Sequence, residues 1–235
     1  MADRRGAMRW LFYKGTVWFL RLLLAPFVRV RVLHAERARV PGACILACNH
    51  ISHFDPPIIA ARIRRKVDWM ATAELFSNRL LGAWLRGVDT FPVDRSRSDR
   101  ASVRTTLERL KRGRMVGVFP EGGIRDGAAS IIGGAAPVPG IGALAQMSGA
   151  RVLPCIILGS DRLYAKRSYR PFRTITVWIG FGELLDCKTS EKAARAELDG
   201  RLAAAMRALQ CEMSGHFRLS EADLPKPPRE RMTAR

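Results

Sequence analysis

The apolar residues of this chain fall into short runs that alternate with amphipathic stretches. The runs predict six strands, over residues 43–48, 67–71, 90–93, 115–120, 152–158 and 174–179. Runs that are apolar at nearly every position are typical of strands buried on both faces of a sheet. Helical patterns lie between them, over residues 56–62, 75–85, 98–112 and 143–148 and from Thr189 or Ser190 toward Met213. This alternation predicts an α/β fold with a central, mostly parallel sheet flanked by helices.

Residues 8–33 mix large apolar side chains with five basic ones. A membrane-spanning helix needs about 20 mainly apolar residues, whereas Arg21 and Pro26 interrupt this segment. We predict that residues 1–34 form one or two short helices in a membrane interface, with arginines reaching headgroups and tryptophans at the boundary. Two alternatives are a secretory signal peptide, for which no small-residue cleavage site follows, and a packed core helix.

Residues 35–219 are predicted to form a single domain, long enough to bury a large core. Residues 220–235 are polar and proline-rich, which predicts a disordered tail. The odd number and scattered positions of the cysteines favour free thiols in a reducing compartment over disulfides or a zinc site. They are Cys44, Cys48, Cys155, Cys187 and Cys211. No cluster of metal ligands is visible, so no metal is expected.

The formal net charge is +19, from 40 basic and 21 acidic residues. Such a charge favours an anionic partner, either nucleic acid or anionic lipid, although a bias toward arginine codons explains part of it. Because no nucleic-acid reading motif is present, we expect an anionic membrane surface and no nucleic acid. The predicted location is the cytoplasmic face of the cell membrane, as a peripheral or monotopic protein.

The candidate chemistry begins where the first predicted strand meets a helix, at His50 and Asp55. Pro56 favours extended geometry for Asp55 and suits a first helical turn, which predicts Asp55 as a helix N-cap facing back toward His50. A carboxylate there would orient the imidazole, whose other nitrogen could take a proton from a hydroxyl. The alternative is that Asp55 only caps a helix and His50 only fills a turn. No G-x-S-x-G motif is present, so we infer direct attack by an external alcohol.

Two further segments stand at the ends of predicted strands. Glu121, Gly122, Gly123 and Arg125 follow one of them. Glycines there would let backbone amides approach an anion, and the arginine would offer a bidentate phosphate clamp. Arg95 stands at the end of another strand. The alternatives are an ordinary glycine-rich turn and a solvated start of a basic helix.

Together these segments resemble the motif blocks of the PlsC-type glycerolipid acyltransferases. Asn49-His50-x4-Asp55 is similar to the first block, N-H-x4-D, and Phe119-Pro120-Glu121-Gly122 to the third, F-P-E-G. Residues 87–95 and 152–156 resemble the second and fourth blocks, and the whole resemblance covers roughly residues 35–185. It implies acyl transfer from acyl-CoA or acyl-ACP to a lysolipid, typically the sn-2 hydroxyl of 1-acyl-glycerol-3-phosphate, giving phosphatidic acid for phospholipid biosynthesis.

The resemblance also implies roles for individual residues. His50 would be the base and Asp55 its orienter, while Arg95 would bind the acceptor's phosphate in a pocket shaped by Glu121 and Gly122. The implied partners are a lysophospholipid, an acyl thioester carried by coenzyme A or acyl carrier protein, and an anionic membrane, with no cofactor beyond the co-substrate.

Asn49, Gly123 and Arg125 complete the predicted substrate-binding set. Here the chain departs from the family's Glu-Gly-Thr-Arg, because Gly123 and Ile124 displace Arg125 by one position. The departure leaves a second hypothesis open, in which the acceptor is another lysolipid, such as a lyso-aminolipid. A third hypothesis is a non-catalytic protein that binds anionic surfaces through its charge alone.

Overall fold

A seven-stranded sheet forms the centre of the protein in the computed structural model, which describes residues 4–94, 99–165, 168, 174–187 and 192–233. In chain order the strands are β1 Val28–Leu33, β2 Cys44–Cys48, β3 Val67–Thr72, β4 Phe91–Val93, β5 Met115–Val118, β6 Arg151–Leu158 and β7 Ile175–Phe181. They lie in the order β1-β7-β6-β2-β5-β3-β4, and only the β6–β7 pair is antiparallel. The predicted mostly parallel α/β sheet is therefore confirmed.

Helices cover the sheet on both sides. They are α1 Arg4–Leu24, α2 Asp55–Ala60, α3 Arg79–Gly87, α4 Arg100–Lys111, α5 Ile141–Ser148, α6 Lys192–Phe217 and α7 Pro228–Thr233. Strand β2 is buried at every position, because Ile45 packs into the core layer under α4, α5 and α6 while Leu46 packs into the layer under α2. The helix predicted from residue 75 begins instead at Arg79, since Asn78 caps it by accepting two backbone N–H groups.

Strand β1 corrects the prediction that residues 1–34 are helical throughout. Its sequence, VRVRVL, alternates valine with arginine, and a side-chain period of two is typical of a strand rather than a helix. The strand pairs in parallel with β7, with Val28 opposite Ile175. The N-terminal segment is thus one helix followed by an edge strand of the sheet.

Helix α1 is held on the body by a few specific contacts. Tyr13 is buried, and its hydroxyl accepts the backbone N–H of Val67 at 3.4 Å. Arg9 pairs with Asp89 at 3.3 Å. Within the described residues, no helix combines the length and hydrophobicity that crossing a bilayer requires.

The C-terminal segment differs from the predicted disordered tail. It forms a short 3-10 turn at Glu221–Asp223 and then α7. Arg231 donates from Nε to Oδ2 of Asp161 at 2.6 Å, and both side chains are buried. The backbone N–H of Lys226 donates to the same oxygen at 3.1 Å. A buried carboxylate requires such partners, and this one recruits them from the end of the described chain.

Replacing Arg231 with methionine would leave Asp161 buried without its cation. We expect Arg231→Met to lower the free energy of unfolding by about 3–5 kcal/mol, the usual effect of breaking a buried ion pair. Urea unfolding followed by circular dichroism measures the change. Lys226→Met is the matched control, because it removes only an exposed pair with Glu230 and should change stability by less than about 1 kcal/mol. Equal losses of unfolding free energy in the two variants would contradict a stabilising role for the buried Arg231–Asp161 ion pair.

Candidate active site

His50 and Asp55 meet at the turn between β2 and α2. Nδ1 of His50 lies 2.8 Å from Oδ2 of Asp55. Asp55 is fully buried, and His50 is 7% exposed. An ionised carboxylate can only accept a hydrogen bond, so this contact places the proton on Nδ1 and leaves Nε2 as the basic nitrogen. The geometry is that of an oriented general base.

The turn directs the carboxylate of Asp55 back toward His50. Its Oδ2 also accepts the backbone N–H groups of Ile51 and Ser52, each at 2.8 Å. The expected N-cap position is off by one residue, because Phe54 is the N-cap and Asp55 is the first residue of α2. The prediction that the side chain points toward His50 holds, since the N–H groups it accepts come from the turn before the helix.

Ser160 is a member of the site that the motifs do not include. Its hydroxyl donates to Oδ1 of Asp55 at 2.5 Å, and the residue is fully buried. Gly159, at φ +85°, turns the chain after β6 so that Ser160 enters the site. The signal in the sequence is a glycine and a serine directly after a buried strand, at the carboxyl edge where ligands bind in α/β sheets.

Glu121 links the two sequence motifs through the backbone. Its Oε2 accepts the N–H of His50 at 2.6 Å, and its Oε1 accepts the N–H of Ile131 at 2.8 Å. Burial raises the pKa of this carboxyl to about 7, against the opposing effect of those two N–H groups and of Arg125. Because both oxygens bind backbone, Glu121 positions the base and the following loop.

Asn49 is not a substrate-binding residue, contrary to the prediction. It is fully buried, and its amide makes two hydrogen bonds to the backbone of Ile157. Nδ2 donates to the carbonyl at 3.0 Å, and Oδ1 accepts the N–H at 2.7 Å. An asparagine suits this position because one side chain supplies both a donor and an acceptor. It ties the end of β2 to β6 immediately before His50.

The glycine-rich turn brings Arg125 beside the base. Gly122 has φ +68°, which favours glycine, and its N–H donates to Phe119 O at 3.0 Å. Gly123 follows in the same turn and is half-buried. The backbone N–H of Arg125 donates to His50 O at 2.9 Å, and the Arg125 side chain is exposed. The displacement by one residue therefore still leaves an arginine next to His50. Arg95, the other predicted phosphate ligand, lies outside the described residues.

A cavity of about 480 Å³ opens at His50. The imidazole stacks on Phe119, with ring centroids 3.9 Å apart, and Phe119 stacks on Trp69 at 5.2 Å. Most other lining side chains are apolar and come from α1, α2 and α3, including Val17, Leu20, Pro57, Leu81, Trp84 and Leu85. Such a cavity suits an alkyl chain with its reacting end at the base. The motifs alone did not predict this apolar lining, because α1, α2 and α3 come together around the cavity only through tertiary packing.

No group of three or more His, Cys, Asp or Glu side chains capable of holding a metal ion occurs in the described part of the chain. The residues gathered around His50 instead supply a base, an orienting carboxylate, an exposed cation and an apolar cavity. This set can activate a hydroxyl on an amphiphilic anion.

Comparison with known proteins places this fold and site among the acyltransferases. The family model named Acyltransferase matches residues 29–158, more than half of the chain. The chain belongs to the acyltransferase family, which confirms the resemblance to PlsC-type enzymes.

Two curated relatives are 1-acyl-sn-glycerol-3-phosphate acyltransferases. That of Bacillus subtilis (strain 168) is 32% identical over 111 residues, which are 47% of this chain and 56% of the relative. That of Streptococcus pneumoniae (strain ATCC BAA-255 / R6) is 31% identical over 117 residues, 49% of this chain and 41% of the relative. The chain thus spans about half the length of the curated relatives it matches.

A solved structure shares the fold over most of both chains. It is the 1-acyl-sn-glycerophosphate (LPA) acyltransferase PlsC from Thermotoga maritima, at a TM-score of 0.69 and 24% identity. The match covers 94% of this chain and 86% of that one. The mostly parallel sheet and its helices are therefore a shared architecture.

Removing the Ser160 hydroxyl should slow catalysis without weakening substrate binding. A hydrogen bond to a charged group contributes about 1.5–3 kcal/mol, so Ser160→Ala should lower kcat by about 10- to 100-fold with KM nearly unchanged. Steady-state kinetics measure both constants. Ser168→Ala is the control, because that buried hydroxyl donates to Arg162 O instead. A rise in KM at normal kcat would refute the positioning role.

Proposed function

We propose that the protein transfers a fatty acyl group from an acyl thioester to the sn-2 hydroxyl of 1-acyl-glycerol-3-phosphate, giving phosphatidic acid. The observation that carries the proposal is the His50–Asp55 pair opening into an apolar cavity beside an exposed arginine. The names of the two curated relatives and of the PlsC structure support the same acceptor.

The proposed reaction is a direct acyl transfer in which His50 acts as the base. Nε2 of His50 takes the proton of the lysolipid hydroxyl, and the oxygen attacks the thioester carbonyl carbon. The tetrahedral intermediate collapses, the C–S bond breaks, and the imidazolium returns its proton to the leaving thiolate. Asp55 keeps the imidazole in its tautomer and stabilises the imidazolium. Since a thioester is already activated, positioning and deprotonation of the alcohol suffice, and no covalent enzyme intermediate forms.

The two ends of the acceptor fit the two kinds of surface around the base. The cavity next to His50 would take an alkyl chain. The exposed guanidinium of Arg125 would meet the phosphate. Acyl-CoA and acyl-ACP both carry the required thioester. Coenzyme A and acyl carrier protein are both anionic, so basic side chains near the site would attract either carrier.

The displaced Arg125 supports a second candidate acceptor. The family's third block places its arginine directly after Gly-Thr, whereas here Gly123 and Ile124 come between Gly122 and Arg125. A different path of the loop would suit a different headgroup. The alternative is the same acyl transfer to another lysophospholipid or a lyso-aminolipid.

Helix α1 provides the surface for membrane docking that we propose. Its exposed large apolar side chains are Met8, Trp10, Leu11, Phe12, Trp18, Phe19, Leu22 and Leu23. Leu80 and Trp84 of α3 add to the exposed apolar surface. Aromatic and basic residues on one helix suit the headgroup region, where each cation contributes about 1 kcal/mol on an anionic surface. The protein would then sit on the cytoplasmic face of the cell membrane, where its product is needed.

A panel of acceptors tests the reaction. Purified protein is given acyl-CoA or acyl-ACP with lysophosphatidate, lysophosphatidylethanolamine, lysophosphatidylglycerol or a lyso-aminolipid, and the product is measured by mass spectrometry. Lysophosphatidate should be preferred, and His50→Ala should lower its turnover by about 10²- to 10⁴-fold. His216→Ala, at an exposed position of α6, should leave turnover unchanged. Wild-type turnover in His50→Ala would rule out the assigned base.

Docking is tested by cosedimentation with anionic vesicles. Trp18→Ser combined with Phe19→Ser should reduce the bound fraction severalfold, because both side chains are more than half exposed on α1. Val138→Ser combined with Met147→Ser is the matched control, since these exposed apolar residues lie outside α1. Point variants are preferable to deleting residues 1–33, which would remove β1 from the sheet. Equal binding by both variants would exclude α1 as the docking surface.

A further inference from the structure

A second groove lies beside the catalytic cavity, along an adjoining face of α1. It has a volume of about 970 Å³ and is formed by α1, the end of α2 with the residues that follow it, and β1. It shares Tyr13, Val17 and Ala60 with the catalytic cavity, but it contains none of the residues that we assign to catalysis. Helix α1 is therefore a wall common to two cavities.

The groove is cationic. Lys14 and Arg21 of α1 face Arg62 and Arg64 of the segment after α2, and no acidic residue is among the described residues that line the groove. Arg21 donates to the carbonyl of Ala61, which fixes its guanidinium beside the following residue, Arg62. Within the described ranges, no carboxylate pairs with any of the four cations.

Two of these cations, Arg21 and Arg62, lie close enough for their charges to interact. Partial burial of its guanidinium, and then the nearby charge of Arg21, lower the pKa of Arg62. Elsewhere in this protein, partly buried arginines are neutralised by carboxylates, as Arg114 is by Asp68 and Asp89. A bound anion would relieve the repulsion in the groove in the way that those carboxylates do elsewhere.

The remaining lining is apolar and continues into the exposed face of α1. Val28 and Val30 of β1 contribute to it, together with Ile58 and Ile63. Trp18 and Leu22 also line the groove and are 63% and 53% exposed, as part of the surface proposed to meet the membrane. A ligand that is both anionic and apolar, and that arrives from a bilayer, matches this combination.

We infer that the groove binds one anionic phospholipid of the surrounding bilayer, distinct from the substrate. Its phosphate lies between Arg21, Arg62 and Arg64, and its acyl chains lie on the apolar lining. The bound lipid holds α1 against α2 and so supports the wall of the catalytic cavity. The inference builds on the proposed membrane docking but assigns a specific site within it.

Binding of a short-chain lipid tests the site without a bilayer and without turnover. Full-length protein is titrated calorimetrically with monomeric dioctanoyl-phosphatidylglycerol, dioctanoyl-phosphatidylcholine or inorganic phosphate. The phosphatidylglycerol should bind at least tenfold more tightly than either of the other two. Comparable binding of phosphatidylcholine would refute the selection by charge, and comparable binding of inorganic phosphate would show an anion site with no lipid specificity.

Two paired variants locate the binding. Arg62→Gln with Arg64→Gln should weaken phosphatidylglycerol binding at least tenfold, whereas Arg62→Lys with Arg64→Lys should keep most of it. Arg104→Gln with Arg112→Gln removes the same charge from exposed positions on and after α4, and should bind as the wild type does. Equal losses in the two glutamine pairs would reduce the effect to net charge and overturn the assignment.

The outcome is separable from that of the proposed reaction. His50→Ala should bind phosphatidylglycerol with wild-type affinity, because the base lines only the other cavity. A thermal melt of each arginine variant confirms that it is folded, and the exposed positions of Arg62 and Arg64 favour this. If the acceptor panel gives no product, the lipid titration still supports or refutes the groove.

Discussion

The buried carboxylate of Asp55 is the group on which the rest of the site depends. Carboxylates are tolerated in a protein interior only where donors surround them. Here two backbone N–H groups, the Ser160 hydroxyl and the imidazole of His50 fill that requirement from two separate parts of the chain. Satisfying one buried charge thus sets the position of the base, the shape of the turn after β2 and the course of the loop after β6.

The neighbours of this carboxylate in the site fix the backbone and the ring of His50. Glu121 and Asn49 hold the backbone on either side of the base, and the stack of Phe119 on His50 closes one face of the imidazole. Nδ1 of the ring is held by Asp55, and His50 is one of the residues that line the apolar cavity. The result is a base that is rigid on its protein side and open on the side where a lipid hydroxyl would enter.

Local patterns predicted most of the fold because they depend on neighbours in sequence. Apolar runs identified six strands, and the proline after Asp55 indicated that its carboxylate turns back. Strand β1 was missed, since its arginines resembled a basic helical segment. Ser160 and Arg231 were missed for another reason: their partners Asp55 and Asp161 lie 105 and 70 residues away. Pairings of that range follow from packing, which no local pattern encodes.

The ion pair between Asp161 and Arg231 makes completion of the site depend on a late-synthesised part of the chain. Asp161 directly follows Ser160, so the loop that completes the site is braced by a residue near the far end of the described chain. A ribosome releases helix α1 early and Arg231 late. The helix that we propose to dock on the membrane is therefore synthesised well before the hydroxyl-activating site can be complete.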